Sequence, residues 1–462
     1  MNTKKLLYLY APLGLIASIF IFYANNHAFF TNLYLLPFFY AIVCLSVYHA
    51  KEISFPFTCI VSVYFIRNTL TPVIMCLGDY SSYFIVSSKK NVDYAIMLMI
   101  YESTIAVLYS FFQNKESYSP PPPDEKINRT EVFFNINQNL AVCITFAFFL
   151  LIYILRRKFF DNYSSVYFVQ EIRQRDVLEN GGPLDTLFSV LFPISYLFIS
   201  LYFINYSIHT IKRAELRSLL CILLSSVPLL FMNNADGFNV ICLLSLLYVS
   251  FFKKGVTRKD FVVVNFAIVL IVLYILLSIS SLSYNAESKD TMQKVSSFLL
   301  AYFPGVTNIS GGFDFYIPNK IETLFYDFYA TIPFRNTIFG LKNDLRLVML
   351  YTEYNDSLSQ VLPCIIQLYT YLGVFAPIID CILIKCAYLS YEKSQKAKTV
   401  YISYAYILLF FYLVLTPVSY NITIFLSRFN VTILPMLLLY SAVIDTYSLD
   451  KKDQLAQSVT VK

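Results

Sequence analysis

Apolar residues in this chain gather into long, nearly unbroken runs separated by short polar stretches, a pattern unlike the period-two alternation of a half-buried strand or the one-sided stripe of a soluble helix. A helix crossing the hydrocarbon core of a membrane needs about 20 predominantly apolar residues. That ruler predicts twelve spans, at 6–24, 33–48, 53–77, 92–112, 140–155, 185–208, 218–232, 238–252, 261–282, 361–384, 400–418 and 424–444. The pair 218–232 and 238–252 is short and closes around 233–237, as two thin spans or one re-entrant hairpin. The parity of the later spans is the same in both cases.

Lys and Arg concentrate in short cytoplasmic loops. With the N-terminus inside, the short inner loops hold Lys51, Lys212, Arg213, Arg217, Lys253, Lys254, Arg258, Lys259, Lys385, Lys393, Lys396 and Lys398, against Lys89 and Lys90 in the short outer ones. The fold predicted is therefore an all-α polytopic integral membrane protein of about twelve transmembrane helices with both termini inside. Residues 1–282 carry nine spans, 283–360 form a large outer loop, and 361–462 carry three spans and a cytoplasmic tail. The basic outer segment 156–184 strains this rule. Within the large loop, Ile321, Leu324, Phe325, Phe328, Tyr329 and Ile332 recur at helical spacing. Met292, Val295, Leu299 and Tyr302 do so upstream, and Leu345, Val348 and Met349 begin a third stretch. These predict amphipathic helices that lie on the membrane surface or cap a cavity between the spans, with breaks at Gly311-Gly312 and Ile332-Pro333.

Composition narrows the class further. Hydrophobic residues make up 57% of the 462 residues and charged residues 14%, with a net charge of +6, against roughly 25% charged in soluble domains. This excludes a soluble enzyme, a disordered tail and a nucleic-acid-binding protein. The nine cysteines lie mostly inside apolar runs without CxxC spacing and read as small hydrophobes. Three scattered histidines give no metal motif, so neither a metal nor a cofactor is expected. The tetraproline 120–123 reads as a stiff connector.

Ionisable groups inside spans are the informative exceptions, because each costs roughly 2.5–3.5 kcal/mol at the bilayer centre. Arg67, five residues before Pro72, predicts a broken span from which a guanidinium projects, either onto a phosphate ligand or onto Glu102 of the next span. Glu102 reads as a general base or as the counter-ion of that arginine. Arg428 either snorkels to the interface or reaches the same cavity. Among the outer-face acids, Asp236, Asp314, Asp327, Glu353 and Asp356 are candidates, and Asp236 and Asp327 are carried forward as catalytic ones. His27 is an interfacial residue or a base, and Tyr316, Tyr326 and Tyr354 read either as core packing or as rings that stack on sugars. There is no Asp-x-Asp and no Gly-rich phosphate loop.

The runs Arg67-Asn68-Thr69-Leu70-Thr71-Pro72 with Gly78, Leu98-Met99-Ile100-Tyr101-Glu102, and 359–377 from Ser359 through Pro363, Gln367, Tyr371 and Gly373 to Pro377 together resemble the Wzy-type oligosaccharide repeat-unit polymerases. The resemblance implies a glycosyltransferase-C-like architecture in a bacterial inner membrane. It implies transfer of a growing glycan from undecaprenyl diphosphate onto a lipid-linked repeat unit at the outer face, building O-antigen or capsule. Undecaprenyl-diphosphate-linked oligosaccharides, membrane lipids and a chain-length regulator are the implied partners. Arg67 matches the family's arginine in the third span, Glu102 its Tyr-Glu, and Gln367 and Tyr371 the helix after the large loop. Where many relatives carry an Arg after a short outer turn, this chain reads Asn233-Asn234-Ala235-Asp236-Gly237. Arg156, Arg157, Arg173 and Arg335 are the candidates to replace it. A flippase of lipid-linked oligosaccharide, which needs no large loop, and an O-antigen ligase are the alternatives.

Overall fold

A computed structural model of the chain describes residues 3–47, 53–80, 88–116, 136–155, 183–211, 213–230, 237–252, 291–315, 317, 319–332, 346–354 and 362–444. In chain order the helices are α1 Thr3–Ala24, α2 Leu35–Ser46, α3 Phe55–Phe65, α4 Thr71–Leu77, α5 Lys89–Glu116, α6 Gln138–Leu155, α7 Pro183–Thr210, α8 Ala214–Ser225, α9 Val227–Leu230 and α10 Gly237–Leu247. After 290 follow α11 Thr291–Tyr302, α12 Val306–Gly312, α13 Lys320–Ala330, α14 Leu347–Tyr354, α15 Cys364–Leu372, α16 Pro377–Lys396, α17 Val400–Ser419, α18 Ile422–Arg428 and α19 Leu434–Ser441. The β structure among the described residues is one short parallel pairing of Ile136–Asn137 with Val443–Ile444.

Six of these stretches are long and apolar enough to cross a membrane, which makes this a membrane protein: Ala28–Ser46, Phe55–Leu77, Lys89–Asn114, Leu191–Thr210, Val400–Ser419 and Ile422–Ser441. Four more expected spans are shorter apolar helices, at Leu9–Ala24, Gln138–Leu151, Leu216–Ser225 and Phe238–Phe251. The expected span 261–282 and the turn 233–236 lie outside the described residues, as do the tetraproline segment and most of 156–184.

One expected span takes a different course. Residues 361–384 are apolar enough for a single crossing, yet the helix bends by 114° between Cys364–Phe375 and Pro377–Lys396. Gly373 has φ +59°, a conformation that side-chain-bearing residues rarely adopt, and closes α15. Pro377, with no N–H to leave unpaired, starts α16. The nine residues of α15 are too few to cross alone, and α15 and α16 are apolar enough for a span only when taken together. Hydropathy averages over both legs and misses the turn.

The chain divides into two compact units. The first draws on 1–123, 277–389 and 412–427, so the described helices of the 283–360 segment belong with the first helices and not to a body of their own. Its core joins Phe30, Leu36, Met75 and Ile96 of the early helices to Val306 and Ile309 of α12, Tyr351 of α14 and Ile366 of α15. The second unit, from 124–276, 390–411 and 428–462, packs α7 against α6 and α8. There Phe198 stacks on Tyr401 at 4.9 Å, and the Tyr440 hydroxyl donates to the Ile194 carbonyl at 2.8 Å.

All three helices predicted in the outer loop are present, as α11, α13 and α14. Helix α13 starts where Asn319 caps it: the side-chain oxygen accepts from the Glu322 N–H at 3.2 Å while the amide donates back to the Glu322 carboxylate at 3.0 Å. Gly311 and Gly312 end α12, and a Cβ at Gly312 would collide with the Ile366 side chain, so the bare backbone is what lets α12 lie against α15.

Candidate functional site

Pro72 has no N–H for the carbonyl four residues back, and its ring crowds that turn. The third span was expected to break there. It widens instead into a π turn over Ile66–Leu70 and continues as one helix from Phe55 to Leu77. The Thr71 backbone N–H bonds to the Ile66 carbonyl, and the Thr71 hydroxyl donates to the same oxygen at 3.0 Å. The π turn buries Arg67, Asn68 and Thr69 together.

Arg67 is 1% exposed and Glu102 0% exposed. The Arg67 Nη1 donates to both Glu102 oxygens, each at 2.9 Å, and its Nε donates to the Pro304 carbonyl at 3.1 Å. Arg67 thus ties the third span to α5 and to the chain entering α12. One nitrogen serves both carboxylate oxygens, which leaves Nη2 buried without a hydrogen-bond partner among the described residues. A buried guanidinium with an idle N–H₂ has capacity for one further acceptor. Glu102, with both oxygens engaged, stands as the arginine's counter-ion.

Asp380, in the first turn of α16, was missed by sequence reasoning. It is 0% exposed, its charge interacts with those of Arg67 and Glu102, and neither of its oxygens has a partner among the described residues. The signal was present in Ile378-Ile379-Asp380-Cys381-Ile382, an acid inside an apolar run, which is the criterion that singled out Glu102.

A second cluster in the same unit unites Asp327, Gln367 and Tyr371. The Asp327 Oδ1 accepts the Leu347 N–H at 3.0 Å, and its Oδ2 accepts from Gln367 Nε2 at 3.0 Å and from the Tyr371 hydroxyl at 2.9 Å. Gln367 also donates to the Thr423 hydroxyl at 2.6 Å and accepts the Ile422 N–H at 2.8 Å. The network therefore clasps α13, α14, α15 and α18. Burial pushes the Asp327 carboxyl above its ordinary range, against the opposing pull of the Gln367, Tyr371 and Leu347 donors. With both oxygens occupied, Asp327 acts as a positioning residue that fixes α15.

The orientation of α13 inverts the usual amphipathic arrangement. Asp327 and Thr323 are buried, whereas Ile321 is 70%, Phe325 57% and Phe328 54% exposed. An outward apolar stripe above an inward polar one fits a helix whose open side meets lipid.

The Arg428 guanidinium lies over the Phe238 ring, 5.3 Å from its centroid, in the second unit. Asp314 accepts from the Asn91 amide at 2.7 Å on the surface. His27 caps the turn Ala28–Phe30 and sits among Phe29, Phe30 and Tyr80, as an interfacial side chain would. Asp236, Arg156, Arg157, Arg173, Arg335, Tyr316 and Asp356 lie outside the described residues, and nothing is described of the Glu353 and Tyr354 side chains. Among the described residues no group of three His, Cys, Asp or Glu side chains could hold a metal ion. Comparison with protein-family models, with curated proteins and with solved structures finds no match to this chain.

Proposed function

We propose that this chain is a membrane glycosyltransferase of the Wzy type, a polymerase that joins undecaprenyl-diphosphate-linked oligosaccharide repeat units into a surface polysaccharide. The reading places it in a bacterial inner membrane with about twelve spans and both termini inside. The observation that carries it is Arg67: a guanidinium buried among apolar helices, held by Glu102 and Pro304, with Nη2 left over. A diphosphate leaving group at the membrane surface calls for such a donor, since phosphate oxygens match the guanidinium fork. Lipid-linked donors need no nucleotide fold and no metal-bridging Asp-x-Asp, in keeping with a sequence that carries neither. The sequence likeness over 359–377 supports the same reading, and Gln367 and Tyr371 of that segment order α15 through Asp327.

A flippase of lipid-linked oligosaccharide is the second reading. Asp380 favours it, because an unpaired acid among the spans is typical of transport pathways. Deleting the gene and displaying the surface glycan on a gel separates the two. The polymerase reading expects the ladder to collapse to a single repeat unit, restored by wild type and not by Arg67→Ala expressed at the same level in membranes. A surface with no repeat units at all would overturn it in favour of the flippase or the ligase.

A further inference from the structure

Three buried ionisable side chains of the first unit interact through their charges, and those charges do not balance when all three are ionised. Arg67 contributes one positive charge, while Glu102 and Asp380 are two carboxylates. Among the described residues, the charged and titratable groups that interact with Asp380 are Arg67 and Tyr64 of the third span, Glu102 of α5, Cys364 of α15 and its own neighbour Cys381. Arg67 is the single cation in that set, and it is spent on Glu102.

A second ionised carboxylate there would stand desolvated with neither a counter-charge nor a hydrogen bond, the arrangement that low-dielectric surroundings tolerate least. Two acids beside one guanidinium reach neutrality by keeping one proton between them, as paired carboxylates do when they cannot both ionise. Arg67 has the means to serve each acid in turn. Among the described residues its Nη2 is buried without a partner, and both Asp380 oxygens are buried without partners.

We propose that Glu102 and Asp380 form a two-carboxylate site binding one exchangeable proton, held on Asp380 while Arg67 pairs with Glu102 and passed to Glu102 when Arg67 turns to Asp380. The exchange balances: the O–H bond on Asp380 breaks, an O–H bond on Glu102 forms, and the cluster carries no net charge before or after. An anion that drew Arg67 away would leave two acids without a cation, and the site would then take up a second proton. The proton site stands apart from the polymerase reading, because it rests on the charge count and the orphaned atoms alone.

The test is infrared spectroscopy of the full-length protein in nanodiscs, in sodium-free buffer at neutral pH. The site predicts a protonated-carboxyl carbonyl band that shifts on exchange into D₂O and is lost in Asp380→Asn. The same band is also lost in Glu102→Gln, because Asp380 must then ionise to serve Arg67. A band that survives Glu102→Gln would mean that burial alone keeps Asp380 neutral, and would overturn the shared proton. So would a wild-type spectrum without the band, or its loss on adding sodium chloride, which would mark the ligand as a metal cation. Should Asp380→Asn fail to fold, wild-type protein labelled with ¹³C at the Asp carboxyl replaces it. A band that does not move with that label refutes the assignment.

Discussion

Replacing Asp327 with Asn removes a charge and one acceptor without changing shape, at a position 4% exposed. The Asp327 Oδ1 receives one N–H and Oδ2 receives two donors. An asparagine amide turned either way sets its NH₂ against a donor, either the Leu347 N–H or the Gln367 amide. The Tyr371 hydroxyl can rotate to accept. The Gln367 amide cannot flip, because its oxygen already accepts the Ile422 N–H at 2.8 Å and its nitrogen bonds Thr423 at 2.6 Å. One buried donor stays unpaired and one charge-assisted bond is lost, together costing about 2–4 kcal/mol. The cost falls on the attachment of α15, where Cys364 is fully buried. If opening of α15 is fast relative to labelling, maleimide modification of Cys364 accelerates roughly 30- to 900-fold at 1.36 kcal/mol per decade. Peptide mass spectrometry reads it against Cys44, buried in α2. Adding Gln367→Glu restores an acceptor opposite the new amide and is expected to recover most of the loss. A change below threefold, equal acceleration at Cys44, or no recovery in the double variant would refute the clasp.

Gly312→Ala forces a methyl into Ile366 and is expected to cost about 1–3 kcal/mol in thermal unfolding followed by thiol-reactive dye; the compensating Ile366→Ala should return part of it, and an undiminished Gly312→Ala would contradict the packing of α12 on α15. Gly373→Ala meets no neighbouring atom, so its cost is backbone strain alone, of order 1–3 kcal/mol, and the same assay should find it insensitive to second substitutions nearby. Glu102→Leu combined with Asp380→Asn strands a buried guanidinium and is expected to destabilise by about 3–5 kcal/mol, whereas adding Arg67→Met recovers most of that. Equal instability with and without Arg67→Met would argue against the stranded charge as the cause.

Much of the helical layout was legible because membrane spans announce themselves by length and apolarity, and every described predicted span carries apolar helix. The Arg67–Glu102 pairing was legible for the same reason: two opposite charges in neighbouring spans had few other ways to be buried. The bend at Gly373 was not, since hydropathy carries no record of φ and both legs are apolar. The exposed apolar stripe of α13 agrees with a helix lying on the membrane surface, one of the two expected placements, but spacing did not reveal the partners that turn Asp327 inward. Asp380 was hidden by its apolar neighbours, which were read together as one span, and the Gln367–Thr423–Ile422 contacts join positions too far apart in sequence for spacing to reveal.

The central claim is that the protein extends lipid-linked glycans. Lipid-linked oligosaccharide extracted from the deletion strain, mixed with the purified protein in nanodiscs, tests it without the rest of the pathway. The account predicts products of two and more repeat units with release of free undecaprenyl diphosphate, abolished in Arg67→Ala protein that retains its fold. Oligosaccharide that stays a single repeat unit in nanodiscs, yet crosses the bilayer when the same protein is placed in liposomes, would contradict it.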